Sequence, residues 1–104
     1  MALSPEETIM LFAIHALDCA RGPELRKTYQ EPHMAHLKTV GDYGVRIVMS
    51  GPLVEDDGVT TKGSLLVVEA EGRDNVERFN KADPFNRDGV WEAVTITAFL
   101  KKVG

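Results

Sequence analysis

Hydrophobic and polar positions alternate with a period of two in four stretches of the chain. From Thr8 to Leu17, Met10, Phe12, Ile14 and Ala16 fall on one side of an extended segment, and Leu11, Ala13, His15 and Leu17 on the other. Both sets are largely apolar, which predicts a central strand covered on both faces. Val45 to Leu53 reads as a second strand that ends at Gly51-Pro52, and Lys62 to Ala70 as a third, around Leu65-Leu66-Val67-Val68. The polar turn Glu55-Asp56-Asp57-Gly58 between them predicts a hairpin. Trp91 to Lys101 alternates again, Ala93, Thr95, Thr97 and Phe99 against Val94, Ile96 and Ala98, and predicts a fourth strand.

Between strands the period changes. Arg21-Gly22-Pro23 is a turn signal, Glu24 to Tyr29 offers one helical turn, and Pro32 interrupts a continuous helix while suiting the first turn of a new one. From Pro32, positions His33, His36, Leu37, Val40 and Gly44 recur at helical steps, with Gly44 as the stop. Asp74 suits the cap of a second helix over Asn75 to Lys81, with Val76 and Phe79 inward, and Asp83-Pro84 opens a further short turn. The order β-α-β-β-α-β defines the fold class: α+β, a ferredoxin-like antiparallel sheet with its helices on one face. The other sheet face is also apolar. An uncovered apolar face of that size predicts an interface, and a symmetric homodimer is its commonest form.

With 104 residues the chain fits one domain, taken as residues 9–104 behind a short polar lead-in over residues 1–8. A formal charge of -4 argues against nucleic acid as the main partner. Arg26-Lys27 and Lys101-Lys102 read as solvated surface. The single cysteine, Cys19, precludes an intramolecular disulfide and suits a reducing cytoplasm; it reads as a small packing residue. The apolar stretch from Ile9 is broken by His15 and Asp18, short of the ~20 residues of a membrane span. Met-Ala-Leu-Ser-Pro-Glu-Glu at the start lacks the pattern of a signal peptide. Glycine-rich nucleotide loops, a Cys-x-x-Cys pair and stacking aromatics on the third strand are missing, which argues against nucleotide cofactors, metal transfer and RNA recognition. No cofactor is expected.

Candidate chemistry rests on few residues. His33 and His36 stand one helical turn apart, and His15 comes from a strand expected to pack beneath that helix. Three histidines can ligate a metal, but helix-sheet packing absorbs histidines more often, and no metal is expected. Placed in the first turn of a helix, His33 is more often an exposed histidine of no consequence; the alternative is an uncharged imidazole, favoured by the helix dipole, that could serve as a base. Asp83 before Pro84 is a good N-cap, which accounts for it without chemistry. Ser50, Gly51 and Pro52 either line a pocket or simply end a strand.

These segments together resemble the YciI-like (YCII-related) family. The resemblance lies in Met10-Leu11-Phe12-Ala13-Ile14, Pro32-His33-Met34-Ala35-His36-Leu37, Ser50-Gly51-Pro52, Ala82-Asp83-Pro84-Phe85, Gly89-Val90-Trp91 and Phe99-Leu100-Lys101-Lys102, across residues 9–102. It implies a dimeric α/β barrel type of ferredoxin-like fold and a His–Asp active site, carried over to His33 and Asp83, with His36 at a variable place. A dehalogenating enzyme acting on a chlorinated hydroxyquinone lies near the family, which implies acid-base elimination or isomerisation on a small molecule without cofactor. The lead-in before Met10 departs from the pattern. The competing expectation is a non-catalytic, ligand-binding or regulatory module of the same fold. One tension accompanies the pair. The second helix is expected to start at the end of the sheet where strand one ends, as the first does, so an ideal fold separates His33 from Asp83. The two meet only if the segment Asp18 to Gln30 runs back along the sheet, or if they pair across the dimer.

Overall fold

Strand β1 (Met10–Asp18) forms where the alternation is cleanest, and it becomes the inner strand on which the rest is assembled. The computed structural model describes residues 9–104; Thr8 and the lead-in lie outside the described residues. Strands β2 (Val45–Val54), β3 (Thr61–Ala70) and β4 (Trp91–Phe99) complete a four-stranded antiparallel sheet in the order β2-β3-β1-β4. In β1 the register sets Ile14 opposite Leu66 on one side and Ile96 on the other. Phe12, Ile14 and Ala16 of β1, with Leu66 and Val68 of β3, point to the helix side and are buried. Val76 and Phe79 of the second helix and Phe85 cover them.

The turn between β2 and β3 is built by Asp57. Its carboxylate accepts the N–H groups of Val59 (2.8 Å) and Thr60 (2.9 Å) and the Thr60 hydroxyl, which holds the acid below its ordinary range. Gly58 supplies the left-handed backbone there, at φ 76°.

Helix α1 spans Gly22–Leu37, so the expectation of a helix beginning at Pro32 is corrected. Pro23 takes the start of the helix and Pro32 lies inside it. The reason is the stripe Leu25, Tyr29, His33 and Leu37, at i, i+4 steps, which packs on the core straight through the proline. Pro32 and Thr28, the residue whose carbonyl loses its N–H partner, are both exposed, so water can serve that carbonyl. A 3-10 turn at Val40–Tyr43 follows, and Gly44 ends it in the left-handed conformation (φ 72°). Helix α2 is Arg73–Ala82, with Gly72 rather than Asp74 at its cap, and α3 is the single turn Pro84–Arg87.

Helix polarity resolves the expected separation of His33 from Asp83. Helix α2 follows β3, whose end at Ala70 pairs with Met10, the start of β1. It therefore starts at the opposite end of the sheet from α1, not at the same end. The two helices run antiparallel. His33 lies about 16 Å along α1 from its start, and Asp83 about 15 Å along the rise of α2, at 1.5 Å per residue. Both arrive near mid-sheet.

Gly63 fixes how closely β3 approaches β1. A Cβ at this position would stand 2.2 Å from the Ala16 carbonyl oxygen, a backbone atom that cannot turn aside. Gly63→Ala is expected to destabilise the fold by about 2 kcal/mol or more, seen as a lowered urea midpoint with unchanged m-value. An unchanged midpoint would mean that the strands part without cost.

Candidate functional site

The region where α1, α3 and the middle of the sheet converge places His33 against Asp83. His33 Nδ1 stands 2.7 Å from Asp83 Oδ1, within one chain, with the imidazole nine-tenths buried and Asp83 almost wholly so. The same Oδ1 accepts the Phe85 N–H at 2.9 Å, so Asp83 also caps α3. An ionised carboxylate only accepts, so Nδ1 carries the proton of the His33–Asp83 bond. In the uncharged ring Nε2 is then a free lone pair. It has no protein partner among the described residues, and His33 lines a cavity of about 620 Å³ between α1 and strands β2 and β3. The ring lies flat on Phe85, centroids 3.8 Å apart, and Trp91 meets it edge-on at 6.1 Å. These contacts fix the plane in which Nε2 can act. Because α1 begins at Gly22, His33 lies about three turns into it, and the helix N-terminus has no part in its chemistry.

The other expected residues divide. Ser50, Gly51 and Pro52 line the cavity from edge strand β2. His36 turns away: its Nε2 stands 2.8 Å from the Phe79 carbonyl, and its ring stacks on Phe79. That contact, with the His33–Asp83 pair, fixes the antiparallel setting of α1 on α2. His15 is exposed on the sheet face away from the helices, between Leu65 and Thr95, rather than beneath α1. The three histidines therefore do not converge. Among the described residues no group of three His, Cys, Asp or Glu side chains is placed to hold a metal ion.

The sequence reading missed Arg26, Asp18 and Ser64. Arg26 is not solvated surface. Its Nε and Nη2 reach the two Asp18 oxygens at 2.6 and 2.9 Å, and Nη2 also meets the Gly63 carbonyl (2.6 Å) and Ser64 Oγ (2.9 Å). Trp91 Nε1 donates to the same Ser64 oxygen at 3.3 Å. Arg26 and Ser64 both line the cavity. The signal for Arg26 was its i, i+7 spacing from His33, legible only if the helix is carried through Pro32.

A buried His–Asp pair opening on a small-molecule-sized cavity, in an α+β domain with one antiparallel sheet, defines the class of protein. The model of the YCII-related domain matches residues 10–100, and the chain belongs to this family. Protein YciI of Escherichia coli O6:H1 is 32% identical over 99 residues, covering 88% of this chain and 98% of the relative. Protein YciI of Shigella flexneri matches with the same figures. Among solved structures, the 5-chloro-2-hydroxyhydroquinone dehydrochlorinase TftG of Burkholderia phenoliruptrix, in complex with 2,5-dihydroxybenzoquinone, superposes with a TM-score of 0.73. It is 30% identical, and the match covers 91% of this chain and 96% of TftG. Among the described residues no helix is long and apolar enough to cross a membrane.

Proposed function

We propose that this protein is a small cofactor-free enzyme that performs acid-base chemistry of the lyase or isomerase type with His33 and Asp83. The observation that carries this reading is the 2.7 Å His33–Asp83 bond, which orients an imidazole that lines the cavity and whose other nitrogen has no partner among the described residues. In the proposed step Nε2 takes a proton from an O–H or C–H of the bound molecule. The electron pair left behind moves through the substrate and expels a leaving group or relocates a double bond. Asp83 stabilises the imidazolium, which returns its proton to product or water. Where the leaving group is chloride, the net change is loss of HCl.

The TftG likeness supports a substrate of the hydroxyquinol class, and its ligand supports small-ligand binding here. The test is chloride release from 5-chloro-2-hydroxyhydroquinone, with 2,5-dihydroxybenzoquinone as binding probe. Release that depends on His33 supports the reading. Binding of the probe without any release favours a non-catalytic ligand-binding module, a reading that Asp83's second bond, to the Phe85 N–H, also serves.

We read the strand order β2-β3-β1-β4 as a ferredoxin-like unit and place it in a homodimer of the dimeric α/β barrel type, in the reducing cytoplasm that a single cysteine suits. Leu11, Ala13 and Val67 lie half-buried on the sheet face away from the helices, and Met49, Leu17 and Phe99 on the same face are exposed. A second copy of this face is its natural cover. Light scattering is expected to give twice 11.5 kDa, and Val67→Lys to shift the protein to monomer. A monomeric wild type at micromolar concentration would reject the dimer.

A further inference from the structure

The cavity carries polar groups that the acid-base step does not use. Ser64 is buried, with its Oγ between Arg26 Nη2 at 2.9 Å and Trp91 Nε1 at 3.3 Å. Guanidinium and indole nitrogens offer hydrogens and no lone pair. Ser64 Oγ therefore accepts from both, and its own hydrogen can go to neither. No other acceptor among the described residues takes it, and Ser64 lines the cavity. The hydroxyl is locked as a donor aimed at whatever the cavity holds.

Arg26 is locked as well. Asp18, Gly63 and Ser64 engage its Nε and Nη2, while Nη1 keeps its two N–H groups free of protein partners among the described residues. The bidentate grip of Asp18 prevents the guanidinium from swinging away. Donors fixed in advance stabilise a charge that appears on an oxygen without reorganising.

We infer that Ser64 Oγ–H and Arg26 Nη1–H together bind an anionic oxygen of the ligand, so that the site selects small molecules bearing a phenolate or enolate oxygen. This rests on the acid-base reading in that proton removal by His33 is what develops the charge. Trp91 is a positioning residue: by occupying one lone pair of Ser64 it directs the hydroxyl hydrogen toward the ligand. The same donor pair also sets which molecules bind at all, through the oxygen rather than through the ring.

The test compares two probes of nearly equal shape, 4-nitrophenolate and nitrobenzene, by calorimetry and by the phenolate absorbance. Wild type is expected to bind the phenolate at least about tenfold more tightly. Ser64→Ala is expected to lose about 10- to 100-fold in phenolate affinity, as a charged hydrogen bond is removed, with nitrobenzene affinity nearly unchanged. Should Ser64→Ala not fold, Ser64→Cys, whose S–H is a weak donor, is expected to lose phenolate affinity in the same selective way. Trp91→Phe keeps a ring but frees the lone pair, and is expected to lose about 2- to 10-fold on the phenolate. Equal losses for both probes, no loss for the phenolate, or a wild type indifferent to the charge would each overturn the inference. The two readings fail separately. His33-dependent chloride release without any Ser64 effect on phenolate binding removes the donor pair alone. Selective phenolate loss in Ser64→Ala, with release that ignores His33, removes the base alone.

Discussion

His33→Ala is expected to lower turnover by about 10²–10⁴-fold while the protein stays folded, which is the usual worth of a positioned general base. The imidazole contributes one hydrogen bond and a stack on Phe85, so its removal leaves a cavity at the pocket wall rather than in the core. Added imidazole should restore part of the rate in this variant, an effect that repair of packing alone would not produce. Asp83→Asn separates orientation from charge. Asparagine can still cap the Phe85 N–H, so folding is expected to change little, yet it cannot neutralise an imidazolium. Its loss of turnover should approach that of His33→Ala. Asp83→Ala, which strands both the Phe85 N–H and the His33 Nδ1–H in a buried place, is expected to cost about 2–4 kcal/mol of stability besides. The measurements are chloride release at saturating substrate and urea unfolding. A folded His33→Ala variant with wild-type turnover would remove the base.

The strands were legible because a half-buried sheet writes its pattern plainly. The two inner strands, β1 and β3, emerged within a residue or two among the described residues, and the polar turn at Gly58 marked the hairpin. Between Gly22 and Glu31, helix α1 was legible only as one helical turn at Glu24 to Tyr29, because a proline at position 32 is a strong local signal against continuation. The packing stripe through Leu25, Tyr29, His33 and Leu37 outweighs it, and a tertiary effect of that kind has no local signature. His33 and Asp83 were named through the family resemblance; position alone favoured an inconsequential histidine and a cap. Asp83 is indeed a cap, and it holds His33 too, which a one-residue reading could not separate. His15 was assigned to the helix side although the alternation itself places it opposite Phe12, Ile14 and Ala16; the period was right and the face was not followed. The charges of Arg26 and Lys27 look alike in sequence. A single residue step, about 100° around the helix, decides that the first enters the fold and the second does not.

Arg26→Met is expected to destabilise the fold by about 3–5 kcal/mol, the range for breaking a buried ion pair from one side. Methionine keeps much of the side chain's volume, so the loss is electrostatic rather than a matter of packing. Asp18, whose side chain is only 5% exposed, would keep its charge or have to bind a proton, with both oxygens deprived of their bidentate partner. The Gly63 carbonyl and Ser64 Oγ lose a donor at the same time. Phe85 loses the guanidinium that now lies 5.1 Å from its ring centre, which loosens the platform beneath His33. Arg26→Lys retains the charge but a point ammonium cannot span both Asp18 oxygens and Ser64, so it should recover less than half of the lost stability. Removing the acid as well separates the stranded charge from the lost contacts. The double variant Asp18→Asn with Arg26→Met is expected to be more stable than Arg26→Met alone, because no buried carboxylate remains unpaired. Urea midpoints of the wild type, Arg26→Met, Asp18→Asn and the double variant form a cycle that measures the coupling directly. If Arg26→Met unfolds within about 1 kcal/mol of wild type, the pair behaves as a surface ion pair, and the bracing of the cavity floor must come from elsewhere.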